Sequence, residues 1–187
     1  MKKSCMILMA LVLCLVMVAS ALAAGVPSKT LKDMTTATTE GGFAVIIIEE
    51  ENDIQDWVTE ELGKIGLFTE EGNEIASYFD ETVFEDCEKD VNGMILSEAE
   101  AIYASGYELD MGEQKVTFTF PVVYDKDTVV LLGTYNEDEK TVSYSAFDGA
   151  ANEAGEVEVL FDAETLEAME GIDNQVLMLL LSESVAE

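Results

Sequence analysis

The chain has no histidine and no arginine, and it sets nine lysines against 39 acidic residues in 187 positions. It has one tryptophan, two prolines and three cysteines. Each shortage removes a chemistry. Without histidine, Ser-His-Asp and Cys-His arrangements cannot be assembled within the chain. Zinc and haem sites lose their commonest ligand. Without arginine there is no planar guanidinium to clamp a phosphate or carboxylate at two points. The sequence contains no Ser-x-x-Lys pair, no Gly-x-Ser-x-Gly elbow and no Gly-x-x-x-x-Gly-Lys phosphate loop. A formal net charge of −30 repels nucleic acid and anionic membrane surfaces.

What is present begins with MKKSCMILMALVLCLVMVASALAAG. Lys2 and Lys3 lead an apolar run from Cys5 to Ala19, and Ala21-Leu22-Ala23 is a small-residue cleavage signal. This pattern is a secretory signal peptide over residues 1–23. The rival is an uncleaved membrane anchor, since the run approaches a bilayer's thickness. Cleavage leaves 164 residues beginning at Ala24, enough for one sizeable core. It removes two lysines and no acid, taking the net charge to −32. It also removes Cys5 and Cys14, so Cys87 stands alone and no internal disulfide can form. Cys87 reads as a small buried hydrophobe, its thiol pKa raised by Glu85, Asp86 and Glu88.

Residues 24–42 are polar and Thr-rich and read as a flexible lead-in, with a short strand at Met34 to Thr39. Phe43 to Ile48 is a short β-branched run bounded by Gly42 and Asn52, a buried strand. Ile54, Trp57, Val58, Leu62 and Ile65 then recur at helical spacing, with Asp53 as cap and Gly66 as stop. A shorter helix over Glu71 to Phe79 follows, then a turn or short helix from Val83 to Lys89. Beyond residue 106 the period changes to two. Lys115 to Tyr124, Val129 to Tyr135, Thr141 to Phe147, Val157 to Phe161 and Gln175 to Leu181 read as strands, with a further one at Tyr107 to Met111. Pro121 cannot donate to a ladder, which places its strand at an edge or bulge. Asp162 caps a short helix carrying Leu166 and Met169. The expected core of this part is Phe118, Phe120, Leu131, Tyr144, Val159, Phe161 and Leu179.

The stretch EKDVNGMILSEAE, Glu88 to Glu100, comes close to a calcium-binding EF-hand loop. With Glu88 at position 1, Asp90, Asn92 and Gly93 fall at positions 3, 5 and 6, and Met94 offers a carbonyl at 7. The pattern fails at Leu96, position 9, and at Ala99, position 12, where a bidentate glutamate is required. The same letters read better as structure: Asn92-Gly93 ends a segment, and Ser97 to Glu100 forms a capping box that starts a helix stopped by Gly106. Two acidic groups, Asp125 with Asp127 and Glu137 with Asp138 and Glu139, fall in turns between strands. They are ordinary solvated turns before they are weak cation sites. Trp57 lies on an apolar helix face and reads as core rather than as a sugar platform.

These observations give an α+β chain. A flexible lead-in (24–42) precedes a strand-plus-helices unit (43–105) with one buried strand, and an antiparallel Ig-like β-sandwich follows (106–187). The expected function is that of an exported, non-catalytic acidic protein. It would be secreted through the cleaved signal and serve as an extracellular or cell-surface interaction module. Its partner would be a basic protein or a neutral glycan, with no cofactor and no nucleic acid, and with no membrane contact after cleavage. The alternative is an extracellular carboxylate-dependent hydrolase such as a glycosidase, the one catalytic chemistry that 39 acids leave open.

Overall fold

A computed structural model describes residues 36–124 and 127–183. The expected signal peptide, most of the lead-in and Asp125 lie outside the described residues. Eight strands form one antiparallel sheet: β1 (Thr36–Thr39), β2 (Ala44–Ile47), β3 (Ile95–Ser105), β4 (Gln114–Thr119), β5 (Asp127–Asn136), β6 (Thr141–Ala151), β7 (Glu156–Phe161) and β8 (Val176–Ser182). Their order is β1-β4-β7-β6-β5-β8-β3-β2. The sheet curls until its edge strands β1 and β2 lie side by side across the turn at residues 40–43, which nearly closes a barrel. There the Thr39 hydroxyl donates to the Phe43 carbonyl. Two helices complete the described chain: α1 (Asp56–Glu70) and the six-residue α2 (Ala163–Ala168). Among the described residues no helix is long and apolar enough to cross a membrane.

The molecule is therefore a β-rich protein with a small helical part, built on one continuous curled sheet rather than on the two facing sheets of an immunoglobulin-like sandwich. The sheet also crosses the expected boundary at residues 105 and 106, because β3 pairs with β8 from Ile95↔Ser182 to Ile102↔Val176. Two apolar layers result. Inside the curl lie Val116, Phe118, Val130, Leu132, Val159, Phe161, Met178 and Leu180. Leu166, carried by α2, and Met169, just after it, join this inner layer. On the convex side α1 lays Val58 and Ile65 over Val129, Leu131, Leu177, Leu179 and Leu181. The all-apolar runs of β5 and β8 follow from this geometry, since both strands are covered on two faces. The expected single core is split accordingly. Phe118, Phe120, Val159 and Phe161 face inward, whereas Leu131, Leu179 and Tyr144 face the helix layer.

Several local expectations give way to packing. α1 runs through Gly63 and Gly66 and ends at Glu70, with Glu71 as its C-cap and Gly72 next at φ 84°. Each interior glycine costs about 1 kcal/mol relative to alanine, which the burial of Val58 and Ile65 outweighs. Asp53 sits in a 3-10 turn and does not cap α1, whose N-cap is Gln55. The expected helix over Glu71 to Phe79 is a 3-10 turn at Ile75–Tyr78, another covers Glu81–Phe84, and the expected strand at Tyr107 to Met111 is a 3-10 turn at Leu109–Met111. Pro121 falls outside β4, which is an inner strand ending at Thr119. The largest correction is the capping-box helix after Ser97, which is the eleven-residue strand β3. Ser97 lies in the register shift between Leu96 and Glu98. Hydrogen bonding on both sides, to β2 and β8, overrides the helix preference of Ala and Glu. Asp162 behaves as expected: its Oδ1 accepts from the Thr165 amide at 2.7 Å.

The register makes a direct prediction. Phe118→Ala is expected to lower unfolding stability by about 3–5 kcal/mol, because its side chain is fully buried in the inner layer. Leu160→Ala, on the adjacent strand but 53% exposed, should change stability by no more than about 0.5 kcal/mol. Denaturant unfolding of both variants checks this; a reversed order would shift the sheet register by one residue.

Candidate functional site

An acid on an apolar helix face marks the most unusual polar site. Val58, Glu61 and Ile65 lie at helical spacing on one side of α1, and all three are buried. A buried carboxylate needs partners to stay charged, and Glu61 has three. Its Oε1 accepts from the Tyr78 and Tyr144 hydroxyls, each at 2.9 Å. Its Oε2 takes the Lys64 ammonium at 2.8 Å, one turn along the helix. Three elements meet here: α1, the 3-10 turn at Ile75–Tyr78, and β6. Gly133 makes the reach of Tyr144 possible. It stands opposite Tyr144 in the β5–β6 register, and a β-carbon there would lie 2.8 Å from the Tyr144 ring.

The electrostatics follow from these contacts. Burial pushes the Glu61 carboxyl up, but the hydrogen bonds from Lys64, Tyr144 and Tyr78, with the charge of Lys64, outweigh it and hold the group below its ordinary value. The Lys64 pKa rises, chiefly through its bond to Glu61. Burial, then the neighbouring Glu61, drives the Tyr144 and Tyr78 hydroxyls far above the ordinary phenol value, so they remain donors. An ionised carboxylate engaged at both oxygens has no proton to donate at neutral pH. Its chemistry is that of a tie between the helix layer and the sheet.

Beside the tie opens a cleft of about 550 Å³. Its lining includes Glu61, Tyr78, Tyr144, Phe79, Val83 and Val142, together with the exposed Asp80. The rings pack edge to face: Tyr78 and Phe79 have centroids 5.2 Å apart at 80°, Phe79 and Tyr144 4.8 Å apart at 73°. Asp80 Oδ1 accepts from the Thr82 amide at 3.0 Å and the Thr82 hydroxyl at 2.7 Å.

A second polar group lies on the inner face. Glu98 and Glu100 share the inward parity of Ile102 and Ala104 on β3. Glu98 Oε1 accepts from the Tyr124 hydroxyl at 2.6 Å, and the Ser97 and Ser182 hydroxyls are 2.6 Å apart. Burial, then the charge and bond of Glu98, pushes the Tyr124 hydroxyl far up.

The sequence-nominated groups are dispersed. In the EF-like stretch, Asp90 Oδ1 accepts from the Asn92 amide at 3.0 Å and its side-chain amide at 2.6 Å, closing a turn completed by Gly93 at φ 81°. The chain then enters β3, not the helix that an EF-hand requires. The Glu88 amide donates to Asp148 Oδ2 at 3.0 Å, so this segment is pinned to β6. Asp127 lies 3.5 Å from Lys89. Glu137, Asp138 and Glu139 are exposed in the β5–β6 turn, where Asn136 Oδ1 accepts the Asp138 and Glu139 amides. Among the described residues no group of three or more acids or thiols is placed to hold a metal ion. Cys87 is half-buried, and burial, then Asp148 and Asp86, raises its thiol pKa. Trp57 packs against the helix-layer core and stacks on Tyr135 at 5.5 Å and 9°.

Since the folded-state pKa of Glu61 is depressed, its contribution to stability is present above the usual carboxylate value near 4.5 and is lost as pH falls through the lower folded value. Glu61→Gln is therefore expected to cost about 1–3 kcal/mol at pH 7 and to flatten the acid limb of the stability profile. Thermal unfolding from pH 3 to 7 checks this; an unchanged acid limb would remove Glu61 from the account. No protein family, curated protein or solved structure matches the chain.

Proposed function

We propose that this chain is an exported, non-catalytic acidic protein acting as an extracellular or cell-surface interaction module. The observation that carries this reading is the state of Glu61. Among the described residues the most buried carboxylate is engaged at both oxygens by two hydroxyls and an ammonium, which favours a structural tie over acid–base work. The signal-like segment and a net charge of −32 after its removal support export and a coat that favours soluble, cation-seeking behaviour. The partner class is a basic protein, with a neutral glycan as the uncharged alternative. The same charge disfavours nucleic acid and the anionic membrane surface.

One observation favours the second reading, a carboxylate-dependent hydrolase. Glu98 and Glu100 stand on one inner face, and Tyr124 holds the first of them. Two carboxylates on one face are the minimum that glycoside hydrolysis needs. A single experiment separates the two. Residues 24–187 are incubated with a panel of glycosides and, separately, passed over a polylysine support at stepped salt. The module reading predicts no turnover and retention that falls as salt rises. Turnover abolished by Glu98→Gln would replace it with the hydrolase.

A further inference from the structure

The cleft beside Glu61 combines three features seldom found together by accident of an acidic coat: a buried ionised carboxylate, aromatic and aliphatic walls, and a second carboxylate at the mouth. We propose that this cleft is the recognition site for a lysine side chain of a basic partner. The inference rests on the interaction-module reading and names where and how that module engages its partner.

The chemistry of the lining selects the ligand. A lysine side chain is an apolar stem carrying a compact charge, and such chains lay the stem along apolar surface while the head seeks polar groups. Val83, Val142 and Phe79 supply the apolar path. The head meets the Asp80 carboxylate, an exposed lining group whose Oδ1 accepts from the Thr82 amide and hydroxyl. The aromatic lining adds attraction where the ammonium meets a ring face, because the ring quadrupole draws it. Tyr78 and Tyr144 are better placed for this than ordinary phenols. Each donates its proton toward an ionised carboxylate, which pushes electron density into the ring. Glu61 contributes through them, since its own charge is paired with Lys64. A planar guanidinium would gain less, since Thr82 already donates twice to one oxygen of the Asp80 carboxylate, which weakens the two-point contact on which arginine depends. A phosphate or carboxylate ligand would meet the exposed Asp80 charge beside a Glu61 that Lys64 already balances.

The test uses residues 24–187 and two short probes, acetyl-Gly-Lys-Gly-amide and the same peptide with norleucine, which keeps the stem and lacks the charge. Binding is followed by NMR at about 0.1 M salt, where a surface charge is screened beyond about 10 Å. The lysine probe is expected to give saturable shifts at Tyr78, Val142 and Tyr144, and the norleucine probe none. Asp80→Asn keeps the acceptor for the Thr82 amide and so preserves the turn. It should weaken the lysine probe about three- to fivefold, the scale of one exposed ion pair. Glu164→Gln removes the same charge from α2, which packs on the inner layer at the other face of the sheet, and should leave binding unchanged. Absence of saturable binding, equal binding of norleucine, or equal weakening by Asp80→Asn and Glu164→Gln would overturn the site. In that last outcome the polylysine retention survives and only the cleft assignment fails; glycoside turnover would instead bring down the reading beneath it.

Discussion

β8 is the strand on which both layers of this protein depend. Its seven residues, Val176 to Ser182, are all buried. Val176, Met178 and Leu180 point into the curled sheet, and Leu177, Leu179 and Leu181 point at the helix layer. Its two edges are hydrogen-bonded to β5 and β3. Each of these apolar side chains gains on the order of 2 kcal/mol from leaving water. The strand therefore belongs equally to two cores, and neither can be loosened without uncovering one of its faces. With no disulfide among the described residues, this shared wall is what binds the helix layer to the sheet by packing.

Acids do structural work around that wall. Glu61 ties α1 and the 75–78 turn to β6 through two tyrosines. Glu170 accepts the Gly106 and Tyr107 amides at 2.8 and 3.0 Å and fixes the exit from β3. Asp162 caps α2, and Glu98 holds Tyr124. A sequence so rich in carboxylates can draw structural acceptors from the same residue types that coat its surface, whereas donors with positive charge are scarce. Hydroxyls of tyrosine and backbone amides fill that role, which is why the tyrosines at positions 78, 124 and 144 all end on carboxylates.

The strands of the second half were legible because period-two alternation survives in Val116 to Phe120 and Val157 to Phe161, and the burial of their side chains follows it. β5 and β8 were legible as strands, but not their role as a wall with two covered faces, since an apolar run does not state which neighbour covers which side. β3 was misread. Its Glu-Ala-Glu-Ala segment alternates strictly, yet the acids face inward and the alanines face the helix, the reverse of the usual polarity. The Ser97 capping pattern therefore outweighed it. The Glu61 site carried a visible signal, an acid at helical spacing between Val58 and Ile65, but its tyrosine partners lie 17 and 83 residues away. Only the tertiary pairing of β6 beside the helix layer brings them together.

The claim that one strand makes two layers a single cooperative unit is tested by native-state hydrogen exchange. The slowest amides of α1, from Val58 to Ile65, and those of β4 and β7 on the far side of the sheet should open with the same free energy, within about 1 kcal/mol, and show the same denaturant dependence. Exchange of the α1 amides at a markedly lower free energy, with β4 and β7 still protected, would contradict the account. It would show a helical unit that opens by itself and a sheet that stands without it.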